Sequence, residues 1–216
     1  STGAGIYLAE YSKKGRLTNF IRTCIEILSS LPSVVVGLFG YLIFVVQFEY
    51  GFSILSGALA LTVFNLPQMT RNVEDSLRHV HHTQREAGLA LGISRWETVL
   101  HVVIPEALPG IVTGIVLASG RIFGEAAALI YTAGQSAPAL DWSNWNPFSV
   151  TSPISIFRQS ETLAVHIWKV NSEGTIPDGT LVSAGSAAVL LIFILIFNLA
   201  ARRIGKVLHR KLTSAQ

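Results

Sequence analysis

An all-α domain that crosses a membrane several times is predicted by three features of this 216-residue sequence. Half of the residues are hydrophobic, only 13% are charged, and the mean hydropathy is +0.49. A soluble domain of this size needs more charge than that to cover its surface. The apolar residues fall into four blocks of roughly bilayer-spanning length, and Lys and Arg gather in every second gap between them.

The first segment, Ser1 to Arg22, is polar and carries Lys13, Lys14, Arg16 and Arg22. No basic stretch precedes an apolar core there, so it does not read as a secretory leader. A first span is drawn from Ile25 to Val46, kinked near Pro32, where proline removes a helical donor. A short turn at Phe48–Gly51 contains no Lys or Arg, and a second span runs from Phe52 to Met69. Asn65 and Pro67 make that span unlike a plain lipid-facing rod. Residues Arg71 to Pro105 form a polar, helix-forming connection that ends in the amphipathic stretch Trp96–Ile104, and a third span follows from Ala107 to Ala133. Within Gly134–Gly179, Leu163, Ile167 and Val170 recur at helical spacing, which predicts an interfacial helix over Glu161–Val170. The fourth span, Leu181–Leu199, is uncharged and gives way to Arg202, Arg203, Lys206, Arg210 and Lys211.

The first segment, the Arg71–Pro105 connection and the tail hold four, four and five basic residues, against none in the Phe48 turn and two in Gly134–Gly179. That alternation places both ends and the Arg71–Pro105 connection in the cytoplasm. The net charge of +3 therefore reflects topology, and no nucleic-acid partner is expected. A single cysteine, Cys24, allows neither an internal disulfide nor a zinc site built on several thiolates.

Two constellations carry chemistry. In the first, Glu86-Ala87-Gly88 is followed by Gly92 and then by an aliphatic run ending at Pro105. Ala87 and Gly88 offer a small face to a partner, Gly92 a break between two short helices, and Glu86 a group to cap or pair near the first turn. The plainer reading is an ordinary amphipathic helix pair. In the second, Arg121 and Glu125 stand four residues apart within the third span, so on a continuous helix they share a face and pair. An arginine at the bilayer centre costs roughly 2.5–3.5 kcal/mol on insertion scales, so Arg121 is expected to face a bundle interior or a wet cavity. Its guanidinium suits an oxyanion, with Glu125 neutralising it when the path is empty; the alternative is a pair that only ties helices together. Asn65 and Gln68 either line a polar path or bond backbone freed by Pro67.

Gly110, Gly114 and Ala118, and likewise Gly120, Gly124 and Ala128, form rows suited to close helix packing. His79, His81 and His82 are not expected to bind metal, because adjacent histidines on a helix diverge and no carboxylate or cysteine set completes a site. Gly205-Lys206 lacks the flanking residues of a P-loop, and no HExxH occurs. No catalytic residue and no cofactor are expected on this chain, so its energy must come from a partner.

The Glu86–Pro105 stretch resembles the EAA loop of ABC-importer permeases. Ile6–Leu17, Leu31–Gly40 and the run from that loop through Gly120-Arg121…Gly124-Glu125 are similar to phosphate permease subunits of the PstA type, and Glu161–Lys169 resembles Gram-positive members. The resemblance covers essentially the whole chain. It implies a type I ABC-importer transmembrane domain over residues 1–216, without the first two helices of that fold, in which 71–105 is the cytoplasmic coupling loop. It further implies a multi-pass protein of the bacterial cell membrane that carries inorganic phosphate. Its implied partners are ATP-binding subunits that hold ATP and Mg, a second homologous permease subunit and an extracytoplasmic phosphate-binding protein. Sulfate, thiosulfate and molybdate permeases share a related Arg/Gly/Glu region and stand as alternatives. A membrane enzyme or a passive channel subunit is the alternative of another class.

Overall fold

Every regular element among the described residues of the computed structural model is helical, the solution open to a backbone without water to bond to. Described are residues 1–13, 15–174 and 177–213, apart from the side chains at 208 and 211–213. Lys14 and the Lys211 side chain, counted above for topology, lie outside that set. The chain divides into two compact units, one of Ser1–Ser29, Leu66–Gly120 and the chain from Leu195 onward, the other of Ser30–Asn65 and Arg121–Ile194.

The first unit contains α1 (Thr2–Ile6), which continues as π-helical backbone over Tyr7–Tyr11, and α2 (Arg16–Ser30). It also holds the later part of α4 (Ile54–Arg78), then α5 (His82–Ala90) and α6 (Arg95–Thr98). A π-helical stretch, Val99–Val103, joins α6 to α7 (Ile104–Phe123). Val73, Leu77 and Val80 of α4 meet Val103, Ala107 and Ile111, two stripes at helical spacing that form the core of this unit. Gly110 and Gly114 permit that approach. A Cβ on Gly110 would stand 2.8 Å from the Ser76 hydroxyl, and one on Gly114 3.0 Å from Asn72 Cβ.

The second unit contains α3 (Ser33–Gly40) with its π-helical continuation Tyr41–Gln47, the start of α4, α8 (Ala127–Thr132), α9 (Leu163–Glu173) and the first part of α10 (Gly179–Thr213). α3 and α8 cross at Gly37, where a Cβ would lie 2.7 Å from Ala128 Cα. The irregular segment before α9 supplies caps: the N–H groups of Ile54 and Leu55 donate to the carbonyls of Arg158 and Ile156, both at 2.9 Å. Thr162 caps α9, and Gly174, at φ +59°, ends it.

Several boundaries differ from expectation. The first span is not one kinked helix: α2 stops at Ser30 and α3 begins at Ser33, with Pro32 extended between them at ψ 137°. Helix α4 passes through Pro67 and runs on to Arg78, into what reads as connection. Continuous helix begins at Arg95, not near Ala107, and stops at Phe123, short of Ala133. The interruption over Gly124–Ala126 also breaks the second glycine row, and nothing lies within 4 Å of where a Gly120 Cβ would be. Among the described residues, two helices, Arg95–Phe123 and Gly179–Val207, are long and apolar enough to cross a membrane, or three spans if α2 and α3 with its continuation count as one broken span. The polar second half of α4 keeps it out of that group.

Candidate functional site

Glu86, Ala87 and Gly88 lie on α5, and the chain reverses at Gly92, whose φ of +78° is one that only glycine adopts without strain. Among the described residues, no atom beyond its chain neighbours lies within 4 Å of where a Gly92 side chain would begin, so the requirement is conformational and not one of space. Helix α6 then starts with a reciprocal cap: the Glu97 N–H donates to Ser94 Oγ, and the Ser94 N–H to Glu97 Oε2 at 2.9 Å. The sequence signal for this cap, Ser-x-x-Glu, was present and unused.

Gly88 does not serve an outward small face. It is buried against α6, where a Cβ would stand 2.7 Å from Thr98 Cγ2. Ala87 is exposed, alongside exposed Leu89, Leu91 and Trp96. Glu86 pairs and, among the described residues, makes no capping bond; its carboxylate lies 3.1 Å from His82 Nδ1, an exposed pair of small energetic weight.

An arginine that sequence reasoning missed ties this loop to the start of the chain. Arg85 donates to Glu10 Oε1 through Nη2 at 2.8 Å and Nε at 3.1 Å, and to the carbonyls of Leu77 and Val80, both at 2.6 Å. It thus closes the C-terminal end of α4 while neutralising a carboxylate that is 8% exposed. Arg95 adds a hydrogen bond to the Glu10 carbonyl and lies over the Tyr11 ring at 5.2 Å. Glu74, also buried, has Arg22 at 2.9 Å and Arg78 at 3.0 Å. The Glu10 partners stand 75 or more positions away along the chain, so no local pattern revealed them.

Arg121, Glu125 and Asn65 belong to the second unit. Arg121 occupies the last turn of α7, exposed, with its guanidinium 4.2 Å from the centre of the buried Phe64 ring. Because α7 ends at Phe123, Glu125 lies beyond the helix and shares no helical face with Arg121. Its Oε1 instead accepts the Ala128 N–H at 3.2 Å at the start of α8. No ion pair between the two is found among the described residues. Asn65 is buried, and its amide donates to the Leu61 carbonyl at 2.8 Å. Proline at position 67 frees the Val63 carbonyl, so Asn65 does not serve that group. No cluster of three or more His, Cys, Asp or Glu placed to hold a metal occurs among the described residues.

The family of binding-protein-dependent transport system inner membrane components matches residues 1–214. The chain is 58% identical over 212 residues to a probable ABC transporter permease protein, YqgI, of Bacillus subtilis, covering 98% of this chain and 72% of that one. It is 34% identical over 209 residues to the phosphate transport system permease protein PstA 2 of Mycobacterium tuberculosis, covering 96% and 64% respectively. It is 36% identical over 203 residues to PstA of Xylella fastidiosa, covering 92% and 64%. The chain thus spans somewhat under two thirds of those PstA proteins. Among solved structures, an inward-facing MetNI methionine ABC transporter chain superposes with a TM-score of 0.71 over 95% of this chain and 84% of that one. At 18% identity, that likeness speaks to fold alone.

Proposed function

The chain belongs to the family of binding-protein-dependent transport system inner membrane components, and from that premise we propose that it is the permease subunit of an ATP-driven inorganic phosphate importer. Its place as an ABC-importer permease subunit follows from family and fold. Phosphate is supported by the relatives that are phosphate permeases and by one observation, Arg121 at the point where α7 stops. A guanidinium offers paired donors that match a phosphate edge, and stacking on Phe64 positions the cation without cancelling its charge. Glu125, engaged at the start of α8, modulates the local field through space and does not clamp Arg121.

ATP and Mg belong to partner subunits, whose closure pushes on α5 and α6 through the exposed Ala87, Leu89, Leu91 and Trp96. A second homologous permease subunit and an extracytoplasmic phosphate-binding protein complete the assembly, with the Glu86 loop on the cytoplasmic side. The test is uptake of labelled phosphate by the full-length protein and its partners in proteoliposomes, with sulfate and molybdate as competitors. ATP-dependent phosphate uptake, insensitive to both, is expected. Arg121→Ala should abolish it while leaving the complex in the membrane, and normal uptake in that variant would remove Arg121 from the path. The 58%-identical relative carries no substrate in its name, so uptake of another oxyanion is the outcome that would replace phosphate.

A further inference from the structure

A cleft of about 420 Å³ opens between α7 and α10, walled by Pro109, Val112 and Thr113, whose hydroxyl donates to the Pro109 carbonyl, on one side and by Arg202, Gly205, Lys206 and His209 on the other. The four α10 residues fall at i, i+3, i+4 and i+7, one face of the helix. Gly205 forms the floor, since a Cβ there would come within 2.5 Å of Val112 Cγ1. His209 is fixed by a backbone requirement. Pro109 has no N–H, so the Pro105 carbonyl has lost its helical donor, and His209 Nδ1 donates to it at 3.2 Å. No carboxylate lines this cleft among the described residues; Glu106 lines a separate cavity with His79 and His81.

Two cations therefore stand over an apolar wall where the uncharged part of α10 gives way to its basic end. Leu199 and Leu195, on the same face one and two turns earlier, are exposed. We propose that this cleft holds the phosphate headgroup of an anionic membrane lipid, with Arg202 and Lys206 on its oxygens and an acyl chain along Leu199 and Leu195. Basic pockets between spanning helices suit such headgroups, and a free phosphate ion would gain nothing from the apolar wall. The site requires only the membrane fold, so it stands or falls apart from the identity of the transported anion.

The full complex, purified in detergent, would be assayed by native mass spectrometry for retained phosphatidylglycerol. Thermal unfolding would follow addition of phosphatidylglycerol, phosphatidylcholine or inorganic phosphate. Wild type should retain phosphatidylglycerol and be stabilised by it alone. Arg202→Gln with Lys206→Gln should bind it roughly thirtyfold more weakly, at the strength expected of two surface cations. Arg203→Gln with Arg210→Gln, an equal charge loss outside the cleft, should bind normally, and Arg202→Lys with Lys206→Arg should restore retention. Equal retention in the two glutamine pairs would overturn the assignment. So would stabilisation by inorganic phosphate alone, or a wild-type complex indifferent to phosphatidylglycerol, as when a partner helix fills the cleft.

Discussion

A carboxylate removed from water is costly unless cations or hydrogen bonds replace the lost hydration, and at Glu10 Arg85 does so. Glu10→Ala would leave the Arg85 guanidinium, itself largely covered, without its counter-charge. The expected cost is about 3 kcal/mol in unfolding free energy. Denaturant unfolding in detergent measures it, and Glu10→Ala with Arg85→Ala should lose less than the two single losses combined. At Arg121 the expected loss is of transport more than of stability, because the side chain stands at an exposed position with its cation over Phe64. Arg121 itself was legible as a charge within an apolar run. Its relation to Glu125 was not, because the i, i+4 rule assumes unbroken helix. Nothing in Gly124-Glu125-Ala126 announces a break as a proline would.

Among the elements, α5 and α6 depend on two glycines for different reasons, and substitution separates them. Gly92→Ala adds no clash and should cost about 1 kcal/mol through its left-handed backbone, loosening the turn. Gly88→Leu should force α5 away from Thr98 and produce the larger defect, read as loss of ATPase subunits on co-purification together with loss of uptake. Helices α7 and α10 offer a cleaner cycle. His209→Ala should cost about 1 kcal/mol in the wild-type background and less than that alongside Pro109→Ala, which returns an N–H to the Pro105 carbonyl. Hydropathy and spacing located α9 and α10, whose apolar pattern and helical period agree. The π-helical stretches at Tyr7–Tyr11, Tyr41–Gln47 and Val99–Val103 left no such mark, because a short change of hydrogen-bond register barely shifts a stripe of side chains.

Across the whole molecule, the chain passes between its two units four times, at Ser29/Ser30, Asn65/Leu66, Gly120/Arg121 and Ile194/Leu195. Only 6% of the apolar window in Gly179–Val207 is buried within the chain, so lipid or a partner must cover it. Topology supplies the matching prediction. In a Cys24→Ser background, Arg210→Cys should react with an impermeant maleimide only in inside-out vesicles and Trp145→Cys only in right-side-out ones, while Leu195→Cys reacts in neither. Reversed labelling of the first two would invert the proposed sidedness. The Glu10–Arg85 bond also sets a schedule for synthesis. Its partners stand 75 positions apart, and at ordinary elongation rates of about 5–20 residues per second the first is made roughly 4–15 s before the second. For that interval Glu10 must remain hydrated and the Thr2–Tyr11 helix undocked, so a ribosome stalled before α5 would present that helix unpaired to the cell's proteases.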